Sequence, residues 1–282
     1  MQNSQPRPGV STPLPPYRAV LAVDMERFSA TEAVNQQTIG VLIPQVLEEA
    51  FKRSDLEPVW TDRRFPRHAG DGYVLGTEPH HLPFLISPLL ANLQEVLEEV
   101  QPNLAVRDRN LRMRLRLSID VGPLPDVGDG SGIDAMGQAM IDTHRLLDSE
   151  PVRRELKDSD PDTTLLAAII SRRVFEDVVL GGFTTVNPRR WKPVTATVQS
   201  KDFQAEGYLF VPTPSWSADS VNRDAEQEQE GDGTGGSPDR SADTSGTDGR
   251  GQSFSIDRND GQAFQMGTVN GGVNFGGGAN GG

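Results

Sequence analysis

The sequence predicts an α+β fold with a ferredoxin-like βαββαβ core, followed by a long low-complexity tail. Three observations predict it. An apolar run that stops abruptly at an aspartate marks a first strand, a turn-rich segment around Gly70-Asp71-Gly72 marks a hairpin, and amphipathic stretches of helical period separate these from a later strand of strict period two. Of the 282 residues, about 200 are expected to fold, enough for a sizeable core. The expected organisation is a flexible N-terminal segment over 1–16 and one domain over 17–212. An acidic, Gly/Ser-rich linker over 213–261 and a Gly/Asn-rich end over 262–282 follow.

The first strand runs from Tyr17 to Val23, where Val20, Leu21, Ala22 and Val23 are continuously apolar, as in a strand buried on both faces. Ile39, Leu42, Ile43, Val46, Leu47, Ala50 and Phe51 then recur at helical spacing. Val59-Trp60-Thr61 and Tyr73-Val74-Leu75 flank the Gly70-Asp71-Gly72 turn and are expected to be its two strands. A second amphipathic helix is expected from Leu82 to Val100. From Leu111 to Val121 apolar residues alternate with Arg112, Arg114, Arg116, Ser118 and Asp120, which predicts a half-buried strand ending at Gly122-Pro123. Its basic face fits a solvated surface, or a surface that meets a phosphate or an acidic partner. Met136, Met140, Ile141 and Leu147 mark a helical stripe from which Arg145 can project. Thr164 to Ile170 is a strand, Ser171 caps a short helix through Val178, and Trp191 to Val198 with Gly207 to Val211 form a final hairpin.

Asp24 leaves the first strand and Asp71 sits at the hairpin connection, so the two can lie side by side. Magnesium prefers carboxylate and phosphate oxygens in octahedral geometry, and two such ions can stabilise both the attacking and the leaving oxygen of a phosphoryl transfer. Taken singly, each aspartate fits a turn or cap role better than a metal-binding one, because Asp-Gly is a common hairpin turn and Asp a common cap.

The order Asp24, Gly70-Asp71, Asp134-x-x-Gly137, Arg145, spread over strand, hairpin, loop and helix, resembles the class III nucleotidyl cyclases, the adenylate and guanylate cyclase family. The resemblance covers roughly Tyr17 to Pro212. It implies a class III nucleotidyl cyclase core in which Asp24 and Asp71 hold two Mg2+ or Mn2+ ions per site. The turn from Met25 through Phe28 to Ser29 would hold the triphosphate, and Asp134 would read the base. Arg145 would stabilise charge on the transferring phosphate, and Lys201 would bind phosphate. Arg67 stands where adenylate cyclases carry a lysine before Gly-Asp; its planar fork is not equivalent to an ammonium. Ile141 stands four residues before Arg145, where the family usually places a ribose-orienting asparagine. Losing one preorganised polar contact typically costs about 10²–10³ in turnover, against about 10³–10⁵ for an arginine finger. The resemblance therefore implies either a cyclase making a 3′,5′-cyclic mononucleotide from a nucleoside triphosphate or a weakened, nucleotide-binding homologue. It further implies a head-to-tail homodimer, with Asp24 and Asp71 from one subunit facing Asp134 and Arg145 from the other.

The chain has no cysteine, which excludes disulfides and thiolate metal sites, and its four histidines show no zinc spacing. A net charge of −13 argues against general nucleic-acid binding. The first residues lack a signal pattern and no apolar run approaches a bilayer span, so a cytoplasmic protein without a membrane partner is expected. Residues 213–282 carry eleven acidic and four basic side chains and too little apolar surface to fold, so a disordered, self-repelling tail is expected. Its end, Gln262 to Gly276, is uncharged, lacks proline and alternates apolar with amide residues, a composition that can stack as a cross-β ladder or remain a Gly-rich coil. Phe264-Gln265-Met266-Gly267-x-x-Asn270 resembles bacterial homotypic amyloid signalling motifs, which implies a sensor protein bearing a matching motif as partner.

Overall fold

The computed structural model describes residue 9 and residues 11–126 and 135–217. The first strand, β1 (Tyr17–Met25), is buried on both faces. Ala19, Leu21, Val23 and Met25 join one apolar cluster, and Val20 and Ala22 join another on the opposite side. That double burial is why the run is continuously apolar instead of alternating. Helices α1 (Ala33–Arg53) and α2 (Glu57–Thr61) lead into the hairpin of β2 (Arg64–His68) and β3 (Gly72–Thr77). Helices α3 (Leu82–Ile86) and α4 (Leu89–Arg107) lead to β4 (Leu115–Pro123). Strand β1 pairs antiparallel with both β3 and β4, and β2 antiparallel with β3, so these four lie in the order β2-β3-β1-β4. This is the expected ferredoxin-like arrangement.

Three further strands widen the sheet. After α5 (Gln138–Leu147) and α6 (Glu150–Asp158), β5 (Leu166–Ser171) pairs parallel with β4. Ser171 caps α7 (Arg172–Val174), its Oγ accepting from the Val174 N–H, and a π-helical segment Phe175–Leu180 follows. The hairpin of β6 (Lys192–Val198) and β7 (Phe203–Phe210) completes a seven-stranded sheet, with β7 against β5. Apolar faces of α1 and α4 cover one side of the sheet, and α5 and α6 cover the other.

Several elements differ from expectation. Val59-Trp60-Thr61 is part of α2, not a strand: Pro58 suits the first helical turn, and the Trp60 ring fills a gap between Phe51 (5.3 Å) and Tyr73 (5.5 Å). The outer strand of the hairpin is therefore Arg64–His68. The helix expected from Leu82 breaks at Ser87-Pro88 and then runs on to Arg107. Helix α6 has no counterpart in the expected element list, and its presence changes the environment of β4.

Candidate active site

Register brings the site together. Asp24 on β1 lies opposite Gly72 on β3 and opposite Arg116 on β4. The Asp71 carbonyl accepts from the Met25 N–H at 2.8 Å, stitching the hairpin tip to the end of β1 beside Asp24. Two glycines permit this. Gly70 adopts a left-handed φ of +81°, which favours glycine, and a Cβ on Gly72 would sit 2.7 Å from the Val23 carbonyl oxygen. The sequence expectation that Asp24 and Asp71 share one strand end is matched by this backbone geometry.

The basic face of β4 is not solvated, which corrects that expectation. Side chains alternate, so Asp24 shares a face with Val20 and Ala22, the face that α5 and α6 cover. On that face Arg114 is 6% exposed. It donates to Glu26 Oε2 (2.7 Å), the Thr164 carbonyl (2.9 Å), the Leu156 carbonyl (2.7 Å) and Ser159 Oγ (2.9 Å). Arg116 forms a fork with Asp24, Nε to Oδ1 at 2.8 Å and Nη2 to Oδ2 at 2.6 Å, with side-chain exposures of 11% and 18%. Only Arg112, paired with Asp162, lies at the solvent edge. The alternation was legible in sequence, but what covers the polar face was set by α6.

Burial pushes the Asp24 carboxyl up to about 6, more than the Arg116 guanidinium pulls it down. Asp71 is also raised by burial, offset in part by its own backbone N–H. Asp148, at the C-terminal end of α5, acts on both aspartates in the raising direction. The donor set fits a hard divalent cation: two carboxylates and no thiolate or imidazole. Among the described residues no cluster of three or more acidic or histidine side chains stands ready to hold a metal ion. A cation at Asp24 and Asp71 would thus take its remaining ligands from water or phosphate oxygens, as Mg2+ commonly does.

The other predicted residues divide. Met25 is buried, and its N–H is committed to Asp71; the Glu26 N–H is likewise committed to the Arg114 carbonyl at 2.9 Å. Phe28 packs partly against the core at the start of a short turn, Phe28–Ala30, which follows Arg27 at φ 57°. Arg67 is exposed on the edge strand β2, in register with Val74. Arg145 is half-buried on α5, its guanidinium 5.4 Å from the centre of the Phe203 ring, so it is aimed at β7 and not at the aspartates of its own chain. Ile141 is 37% exposed, one step round the helix from buried Met140, and Met136 precedes the helix altogether. Asp134 and the tail residues 218–282 lie outside the described residues, as does the Lys201 side chain. Arg116 was missed as a site residue. The signal was present: Asp24 and Glu26 repeat at the strand period on one side, and Arg114 and Arg116 do so on the other.

No family model matches the chain, and none of the curated proteins does. Solved structures similar to it include the adenylyl cyclase CyaB from P. aeruginosa, 10% identical over 69% of this chain and 93% of that one, with a TM-score of 0.47. The guanylyl cyclase Cya2 is 14% identical over 72% and 93%, with a TM-score of 0.44. A dimeric guanylyl cyclase domain of the RhoGC fusion protein from the aquatic fungus Blastocladiella emersonii is 12% identical over 70% and 94%, with a TM-score of 0.43. Among the described residues no helix is long and apolar enough to cross a membrane.

Proposed function

We propose that the chain is a nucleotidyl cyclase, converting a nucleoside triphosphate to a 3′,5′-cyclic mononucleotide and pyrophosphate at a homodimer interface. The observation that most supports this reading is the Met25 N–H to Asp71 carbonyl hydrogen bond, which ties the backbone of the hairpin tip to the end of β1 next to Asp24. Mg2+ or Mn2+ bound there would neutralise phosphate oxygens and sharpen the nucleophile. Asp24 and Asp71 hold the cations, and the Arg27 to Ser29 part of the turn lies against the triphosphate. Asp134, Arg67 and Lys201 contribute to base and phosphate binding. Arg145 faces away from its own aspartates, which favours its acting on a partner subunit's half-site, where a guanidinium meets the charge of the transferring phosphate. The acidic linker and the Gly/Asn-rich end would recruit this domain to a sensor bearing a matching motif.

A second reading, a weak or inactive nucleotide-binding homologue, is favoured by Ile141. An exposed isoleucine cannot orient a ribose hydroxyl by hydrogen bonding. The deciding experiment incubates the full chain with Mn2+ and each of the four common triphosphates and identifies products by mass spectrometry. A cyclic product that Asp71→Ala abolishes supports the enzyme. Metal-dependent triphosphate binding with no product supports the homologue.

A further inference from the structure

Two cross-strand ion pairs stand side by side on the α5-covered face of the sheet, Glu26 with Arg114 and Asp24 with Arg116. They differ in what else holds the arginine. Arg114 is fixed by two carbonyls and a hydroxyl in addition to its carboxylate, so it cannot leave without orphaning the buried Thr164 carbonyl as well as Glu26. Arg116 has Asp24 as its one hydrogen-bond partner among the described residues. Its guanidinium also covers both oxygens of the carboxylate that a cation would need. A divalent cation and a guanidinium on the same half-buried carboxylate repel one another strongly, because the low local dielectric screens them poorly.

We propose that Arg116 is a latch on Asp24: it holds both carboxylate oxygens in the cation-free subunit and must leave them before a divalent cation can bind between Asp24 and Asp71. The inference rests on reading the two aspartates as cation ligands. It makes cation entry an exchange in which a planar two-point grip is released, so the site discriminates against weak or transient cation contacts. Arg114 and Glu26 stay in place throughout and keep β1 and β4 in register while Arg116 swings.

The test is calorimetric titration of the full chain with MnCl2 at pH 8, without nucleotide, where Asp24 is ionised. Arg116→Met should bind Mn2+ about tenfold more tightly than wild type, the equivalent of ~1.4 kcal/mol. Arg116→Lys keeps the charge but cannot grip both oxygens, and it should gain roughly threefold, a fraction of the same constant. Melting curves confirm that each variant is folded, and Arg116→Lys keeps the proposal open to refutation if Arg116→Met is not. Wild-type affinity in both variants, with binding still lost on Asp71→Ala, overturns the latch and leaves the cation site standing. A gain in Arg116→Met with none in Arg116→Lys reduces the effect to net charge and also overturns it. Binding that Asp71→Ala leaves unchanged in every background overturns the latch and the cation site together.

Discussion

The two arginine rungs between β1 and β4 have the same strand spacing, the same kind of partner and the same face of the sheet, yet the structure uses them differently. Arg114 is a fastening: it ties β1, the end of α6 and the start of β5 to one buried guanidinium. Arg116 hydrogen-bonds one residue among those described, Asp24, at the edge of the site. The difference teaches that a buried ion pair is structural or functional according to how many other groups depend on it, and not according to its distance or burial alone.

Three tests probe that contrast, taken from the largest expected effect. Arg114→Met should cost about 3–5 kcal/mol in urea unfolding, because it leaves the Glu26 carboxylate and the buried Thr164 carbonyl without their donor. A cost near 1 kcal/mol would erase the distinction between the rungs. The second concerns pH. Asp24 has a folded value of about 6 against 3.8, so the unfolded chain releases this proton first. Stability should therefore fall as pH rises from about 4 to about 6 and level off above, by on the order of 3 kcal/mol. Asp24→Asn should remove that part of the slope, while Glu26→Gln should leave it; equal slopes in wild type and Asp24→Asn would refute the assignment. The smallest effect is expected for Arg116→Met at pH 7, roughly 1 kcal/mol of stability, since one partner is lost and that partner can take up a proton or water. A loss as large as that of Arg114→Met would make Arg116 a fastening too.

Much of this was legible in the chain itself. The apolar run of β1, the glycine-flanked Asp71 and the alternation in β4 are local patterns, and local patterns report local geometry well. The sequence also points correctly to the α1 stripe, in which Ile39, Ile43, Val46, Leu47, Ala50 and Phe51 are all buried. What was not legible depends on contacts between distant segments. Trp60 has the composition of a strand residue, but its preceding proline and its pocket between Phe51 and Tyr73 make it helical. The arginines of β4 have the pattern of a solvated face because period two cannot say whether water or a helix lies opposite. Helix α6, short and charged, supplies the Leu156 carbonyl and, just beyond its end, Ser159 Oγ to Arg114. For Arg116 the period-two pattern is legible, but its partner is not, because strand register pairs it with a residue far away in sequence.

The central claim is that Asp71 and Arg145 act in one reaction from two different chains. Mixing inactive Asp71→Ala with inactive Arg145→Ala, in the presence of Mn2+ and the preferred triphosphate, tests it directly. Each mixed dimer retains one site with both groups intact, so the account predicts that cyclic product reappears on mixing, at roughly a quarter of the wild-type rate for random pairing of two-site dimers. No product on mixing, or turnover by either variant alone at the wild-type rate, would contradict it.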